Sequence, residues 1–289
     1  MIINYIIQGR KLDKECRLEE AIACFKKAIE INPQFSWYYF YLGEALIKQK
    51  QNEQNYEAIK AYSKAVKLNP NSTLFKKTLV NYKENEKVIL CKSKVSKVLI
   101  VCFGGMSLLM GGILPFEFLR YLSSIYADKC DLRFYIDAKQ CWYHKGIEGI
   151  SNNIDETTEY LKDKINERDY KKIIFMGVSS GGYAAILFGS LCHITNVISF
   201  KPRTNLKGIR GMVDNKYENL KNIINNDTDY LLYGNLSVKD KNHNHHISQC
   251  ENLEGFSSIK IVKKISLDMK KLRDDGTIKN ELDKIINQV

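Results

Sequence analysis

From residue 97 onward, short apolar runs alternate with amphipathic stretches. The runs are KVLIVCF (97–103), LRFYIDA (132–138), KKIIFMG (171–177), VISF (197–200), YLLYG (230–234) and IKIVKKI (259–265). Each is too short for a helix of ordinary length and rich in β-branched and aromatic residues, so each predicts a strand. Apolar positions three and four apart predict helices over 115–126, 153–168, 180–192, 216–225, 246–254 and 276–287. Strands alternating with helices predict a mostly parallel sheet covered on both faces, an α/β fold. Ligand sites in such sheets gather at the carboxyl ends of the strands, which directs attention to the loops after residues 103, 138, 178, 200, 234 and 265.

The first ninety residues follow a different period. RLEEAIACFKKAIEINP and NYEAIKAYSKAVKLNP align at a spacing of 37, matching Ala21 with Ala58, Phe25 with Tyr62, Ala28 with Ala65 and Pro33 with Pro70. Small residues at the first and third positions admit a neighbouring helix, the aromatic fills the groove between helices, and proline ends the second helix. The pattern resembles the tetratricopeptide (TPR) repeat. It implies an all-α domain over 1–90, with residues 72–87 as a capping helix, ahead of an α/β domain over 91–289. Such a domain either docks a protein partner or serves as a helical cap.

Composition narrows the partners. The net charge is +11, but residues 1–90 hold 15 Lys/Arg against 10 Asp/Glu and the remainder 29 against 23. The excess is spread along the chain without a basic block, so nucleic-acid binding is not expected. Eight cysteines without a CxxC pair suggest reduced thiols, and no signal peptide opens the sequence, so a cytoplasmic protein is expected. Val98 to Phe116 runs 19 residues without a charge, yet it contains Gly104, Gly105, Gly111, Gly112 and Pro115. A buried strand followed by a glycine-rich loop accounts for it better than a membrane span.

The chemistry concentrates in GVSSGGYAA. Gly177-Val-Ser179-Ser-Gly181 satisfies G-x-S-x-G between an apolar strand and a small-residue helix, the context in which a serine nucleophile sits on a sharp turn. The helix N-terminus behind Ser179 favours developing negative charge. An oxyanion hole would pair the amide of Ser180 with that of Gly105 or Met106, from the loop CFGGMSLLMGG after the first strand. Neither phosphate-loop pattern, G-x-x-x-x-G-K-[ST] or G-x-G-x-x-G, occurs. Residues 97–289 thus resemble the α/β-hydrolase superfamily. The resemblance implies a serine esterase or an acyltransferase, and the surface-polysaccharide O-acetyltransferases of some bacteria are similar in fold.

The resemblance also implies the order Ser, acid, His, with the histidine after the last strand. Asp240 fills the acid position after strand 230–234, but no histidine follows residue 265. The substitutes are His243, His245 and His246 in the loop of Asp240. His246 is the expected base because it would open helix 246–254, with His243 second and Asp240 or Asp268 orienting the ring. A metal site from His243, His246 and Cys250 is not expected, for want of acidic ligands. His144 and Trp142, after strand 132–138, are candidates to line a substrate pocket.

The expected function is therefore acyl transfer by Ser179 to water or to a sugar hydroxyl. No permanent cofactor is expected; acetyl-CoA is the candidate co-substrate, and a carbohydrate or small acyl compound the candidate substrate. The alternative is a non-catalytic scaffold acting through its repeats.

Overall fold

In the computed structural model the described residues are 2–49, 55–75, 78–79, 86–91, 96–107, 109–113, 115–209, 214–241 and 243–288. The chain divides into two compact units, Met1–Glu84 and Asn85–Val289.

The first unit contains helices α1 (Ile2–Lys14), α2 (Leu18–Ile31), α3 (Ser36–Gln49) and α4 (Asn55–Leu68). Ala21, Phe25 and Ala28 of α2, and Ala58, Tyr62 and Ala65 of α4, are all buried. Each repeat aromatic lies against a glycine of the preceding helix: a β-carbon at Gly9 would stand 2.7 Å from the Phe25 ring, and one at Gly43 2.6 Å from that of Tyr62. These glycines, 34 residues apart, let the paired helices approach closely. Past α4, residues 73–75 and 78–79 are helical, and Phe75 packs edge-on to Trp37 and stacks on Phe40, both at 4.9 Å. The predicted helix 72–87 does not reach its end: 86–87 belong to a strand, and residues 80–85 lie outside the described ones.

The second unit is built on a seven-stranded sheet ordered β1-β3-β2-β4-β5-β6-β7. The strands are β1 (Glu86–Ile89), β2 (Val98–Phe103), β3 (Cys130–Tyr135), β4 (Lys172–Val178), β5 (Asn196–Phe200), β6 (Asp229–Asn235) and β7 (Ile259–Lys264). β1 is antiparallel to β3 at the edge; every other pair is parallel. A helical repeat region followed by a mostly parallel sheet is the architecture of this chain. Helices α5 (Pro115–Tyr126), α6 (Ile154–Asn166), α7 (Ser180–Leu191), α8 (Ser248–Glu251), α9 (Met269–Asp274) and α10 (Thr277–Ile286) accompany the strands. α7 is buried from Ser180 to Ser190, which its all-apolar and small-residue sequence permits.

The strand expectations hold within about two residues at either end, except that β3 stops at Tyr135. The predicted helix 216–225 is replaced by two single turns of 3-10 helix, Asn215–Tyr217 and Leu220–Asn222. The Asp214 and Asn219 side chains accept from the amides of Lys216 and Lys221, and these local bonds break the segment into separate turns. Among the described residues no helix is long and apolar enough to cross a membrane. The uncharged stretch from Val98 begins as β2, buried throughout.

Candidate active site

Ser179 stands between β4 and α7 with φ 58° and ψ −117°, a left-handed conformation that a residue with a β-carbon adopts only when its surroundings enforce it. The surroundings are identifiable. The Ser179 amide donates to Phe200 O at 2.9 Å, and the Tyr183 amide donates to Ser179 O at 2.9 Å. A β-carbon at Gly177 would overlap the Gly181 carbonyl, and one at Gly181 would overlap that of Phe103, so strand and helix cross closely only because both are glycine. The result is a half-exposed serine at the carboxyl edge of the sheet.

Ser179 Oγ lies 2.7 Å from His245 Nε2. The structure thus brings His245, not the expected His246, to the serine. His246 forms an isolated parallel bridge with Asn235 at the end of β6, and its amide donates to His243 O at 3.0 Å. The ring of His246 folds locally instead: its Nδ1 accepts from the Ser248 amide at 3.1 Å and lies 2.9 Å from Ser248 Oγ. Helix α8 begins only at Ser248, so His246 does not open it. His243 is exposed, and its Nδ1 accepts the His245 amide at 3.0 Å.

The environment of His245 holds it neutral. Burial pushes its pKa down to about 4, and the positive charges of Lys201 and His243 act in the same direction. No carboxylate of a described residue hydrogen-bonds His245. Asp240, the expected acid, is exposed, and its carbonyl accepts the His243 amide at 3.1 Å. Asp268 instead caps α9, accepting from the amides of Lys270 at 2.8 Å and Lys271 at 3.1 Å. The side-chain charge acting on His245 is thus a lysine's, where the resemblance implied a carboxylate's.

The loop after β2 runs beside the serine: a β-carbon on Gly105 would lie 3.0 Å from Val178 O and 3.8 Å from Ser179 Cβ. The Gly105 amide, however, donates to Leu109 O at 2.9 Å, so it is engaged within its own turn. The amides of Ser180, at the first position of α7, and of Met106 have no backbone partner among the described residues. Of the three expected donors, only Gly105 has a backbone partner among the described residues.

A second loop, after β3, pins this one. Tyr143 Oη donates to Gly104 O at 2.9 Å and to Tyr135 O at 3.1 Å, and Gln140 Nε2 donates to Met106 O at 2.6 Å. Gln140, Trp142 and Tyr143 all have positive φ, from 50° to 63°. Asp137, fully buried, holds them there by accepting from the amides of Cys141 at 2.7 Å and Tyr143 at 3.0 Å.

His144 and Trp142 are both buried. His144 Nδ1 accepts from the Asp214 amide at 2.8 Å, and its Nε2 lies 2.8 Å from Tyr183 Oη, which donates to Tyr217 O at 2.7 Å. That places the proton on Nε2, and burial lowers the His144 pKa to about 4. Trp142 is 3% exposed and meets the Tyr183 ring edge-on at 5.9 Å. Among the described residues no group of three His, Cys, Asp or Glu side chains is placed to hold a metal ion.

Comparison with known proteins matches two repeat families in the first unit: a TPR repeat over residues 17–50 and a tetratricopeptide repeat over 38–72. No curated protein matches the chain. Several solved structures are similar. A Staphylococcus aureus protein of unknown function is 12% identical over 71% of this chain and 94% of its own, with a TM-score of 0.49. Esterase Est2 of Thermogutta terrifontis is 11% identical over 70% and 88%, with a TM-score of 0.47. The capsule O-acetyltransferase of Neisseria meningitidis serogroup A is 16% identical over 70% and 92%, with a TM-score of 0.46.

Proposed function

We propose that the second unit is an acyl-transfer enzyme in which Ser179 is the nucleophile and His245 the base. The observation that carries this reading is the 2.7 Å approach of His245 Nε2 to a serine held in strained geometry at a strand-to-helix turn. With Nε2 unprotonated, His245 accepts the Ser179 proton as Oγ attacks an ester or thioester carbonyl. The carbonyl oxygen becomes an oxyanion met by the Ser180 and Met106 amides, and the alcohol or thiol leaves with the proton from His245. Water or a sugar hydroxyl then takes the acyl group, by the same steps in reverse. Incubation with acetyl-CoA and candidate glycans tests the acceptor: acetyl on sugar identifies a transferase, free acetate alone an esterase. The first unit fits a docking role, through a groove of about 640 Å³ that includes Ile6, Ile7, Arg10, Phe35, Trp37 and Tyr41.

Two expected results follow from the site. Because the base is depressed to about 4 by burial, Lys201 and His243, it stays neutral well below the ordinary histidine range. The acid limb of kcat/KM is expected near pH 4 to 5 and not near the unperturbed histidine value of about 6.5. Stability moves in the same direction. The unfolded chain takes up the proton that folded His245 and His144 refuse, so stability is full above about 6.5 and declines as pH falls toward 4. Circular dichroism at each pH separates the two effects.

Tyr143→Phe keeps the buried ring and removes the hydroxyl that holds Gly104 O. Losing a whole oxyanion donor costs on the order of 10²-fold or more, and loosening one costs less. We expect kcat about tenfold lower with KM little changed, measured on one ester at saturation and below it.

A further inference from the structure

Acyl transfer by the Ser179–His245 pair has a fixed polarity. The carbonyl oxygen faces the Ser180 and Met106 amides, while the leaving or incoming oxygen must lie beside His245, which passes it the proton. Whatever surrounds His245 therefore surrounds the alcohol side of the scissile bond.

Two cations occupy that side. Lys201 directly follows Phe200, whose carbonyl accepts the Ser179 amide at 2.9 Å. It is half-buried, with φ 48°, and its Nζ donates to Leu267 O at 3.0 Å. Arg203, also half-buried, donates through Nε to Asn205 O at 3.0 Å and through a terminal nitrogen to Asn244 Oδ1, next to His245. Its guanidinium lies 5.9 Å from the centre of the Trp142 ring. Both spend their bonds on neutral oxygens and keep N–H donors in reserve. Neither forms an ion pair within 4.0 Å with a carboxylate of a described residue. Asp268, which attracts Lys201 electrostatically, is committed to the amides of α9. Partly desolvated cations without a carboxylate in contact are costly, and a bound anion lowers that cost.

We propose that the alcohol side of the substrate, leaving group or acceptor, carries a carboxylate or phosphate that docks on Lys201 and Arg203. This rests on the acyl-transfer reading and narrows its substrate to acidic alcohols, such as the hydroxyl of an acidic or phosphorylated sugar. A bound anion would also offset the Lys201 charge beside His245 and make the ring a stronger base at the moment of attack.

The test uses the full chain and four acyl esters. Phenyl acetate is neutral. 4-Carboxyphenyl acetate and 4-acetoxyphenyl phosphate carry the anion on the alcohol. Phenyl hemisuccinate carries it on the acyl group. The two alcohol-side anions are expected to exceed phenyl acetate in kcat/KM by about tenfold or more, through KM. Added salt is expected to shrink that ratio, and hemisuccinate to gain nothing. Lys201→Met and Arg203→Met should bring the ratio toward one, while Lys201→Arg retains it. Equal or weaker turnover of the alcohol-side anions, an equal gain for hemisuccinate, or a ratio that survives both methionine variants overturns the proposal. The salt dependence needs no variant, so a misfolded substitution does not decide the matter. If phenyl acetate is turned over but the preference is absent, only the anion site is lost. If no ester is turned over and a fluorophosphonate leaves Ser179 unlabelled, the acyl-transfer reading falls and takes the anion site with it.

Discussion

Ser179→Ala is expected to lower kcat/KM for any ester substrate by about 10⁴-fold or more, to the level of the uncatalysed background plus whatever binding alone provides. The substitution removes one oxygen and nothing else that the turn requires. The backbone bonds that hold the strained conformation, from the Ser179 amide to Phe200 O and from the Tyr183 amide to Ser179 O, remain available to alanine. Because φ 58° is unfavourable for serine and alanine alike, folding stability should change little, and the thermal transition serves as the control. A variant that keeps its transition but loses turnover isolates the nucleophile. Turnover within about tenfold of the wild type would place the chemistry elsewhere.

His245→Ala is expected to cost about 10³-fold or more, since a serine hydroxyl without a base in reach is a poor nucleophile at neutral pH. The informative comparison is with its neighbours. His246→Ala removes an acceptor for the Ser248 amide but nothing that touches Ser179, so turnover should stay within a few-fold of wild type. His243→Ala removes the acceptor of the His245 amide and one of the charges that depress the His245 pKa. It is expected to have an intermediate effect, mild at neutral pH and visible as a small upward shift of the acid limb. A larger loss from His246→Ala than from His245→Ala would contradict the geometry of the loop.

Much of this arrangement is legible in the amino-acid sequence, for reasons that are local. Strands such as VLIVCF announce themselves because both faces of a central parallel strand are buried, leaving no polar alternation to obscure the run. The turn at Ser179 is visible because glycines must stand at 177 and 181 where backbones would otherwise overlap. The two repeats show in their small and aromatic positions, since each aromatic needs space in the helix it meets.

What was not legible depends on contacts distant in the chain. The choice among His243, His245 and His246 turns on how this loop folds, which brings the His245 ring to the serine and the His246 ring to Ser248. A helix drawn from residue 246 gives the wrong face. β1 is four residues, EKVI, at a sheet edge, too short and too polar for a pattern, so the predicted helix 72–87 runs into its first half. The loop after β3 contradicts propensity outright, with Gln140, Trp142 and Tyr143 at positive φ. Only the buried Asp137 carboxylate explains it, and nothing in QCWYHKG signals that its tyrosine reaches the carbonyl of Gly104. Lys201 and Arg203 were likewise invisible as site residues, because basic side chains after a strand are ordinary until their position beside His245 is known.

The central claim is that Ser179 is activated by His245. Reaction of the full chain with a fluorophosphonate, followed by mass spectrometric location of the adduct and rate measurement in the histidine variants, addresses it directly. The predicted result is a single adduct on Ser179, formed at near wild-type rate in His246→Ala and about 10²-fold or more slowly in His245→Ala. An adduct on another residue, no adduct in the wild type, or equal rates in the two variants would contradict it.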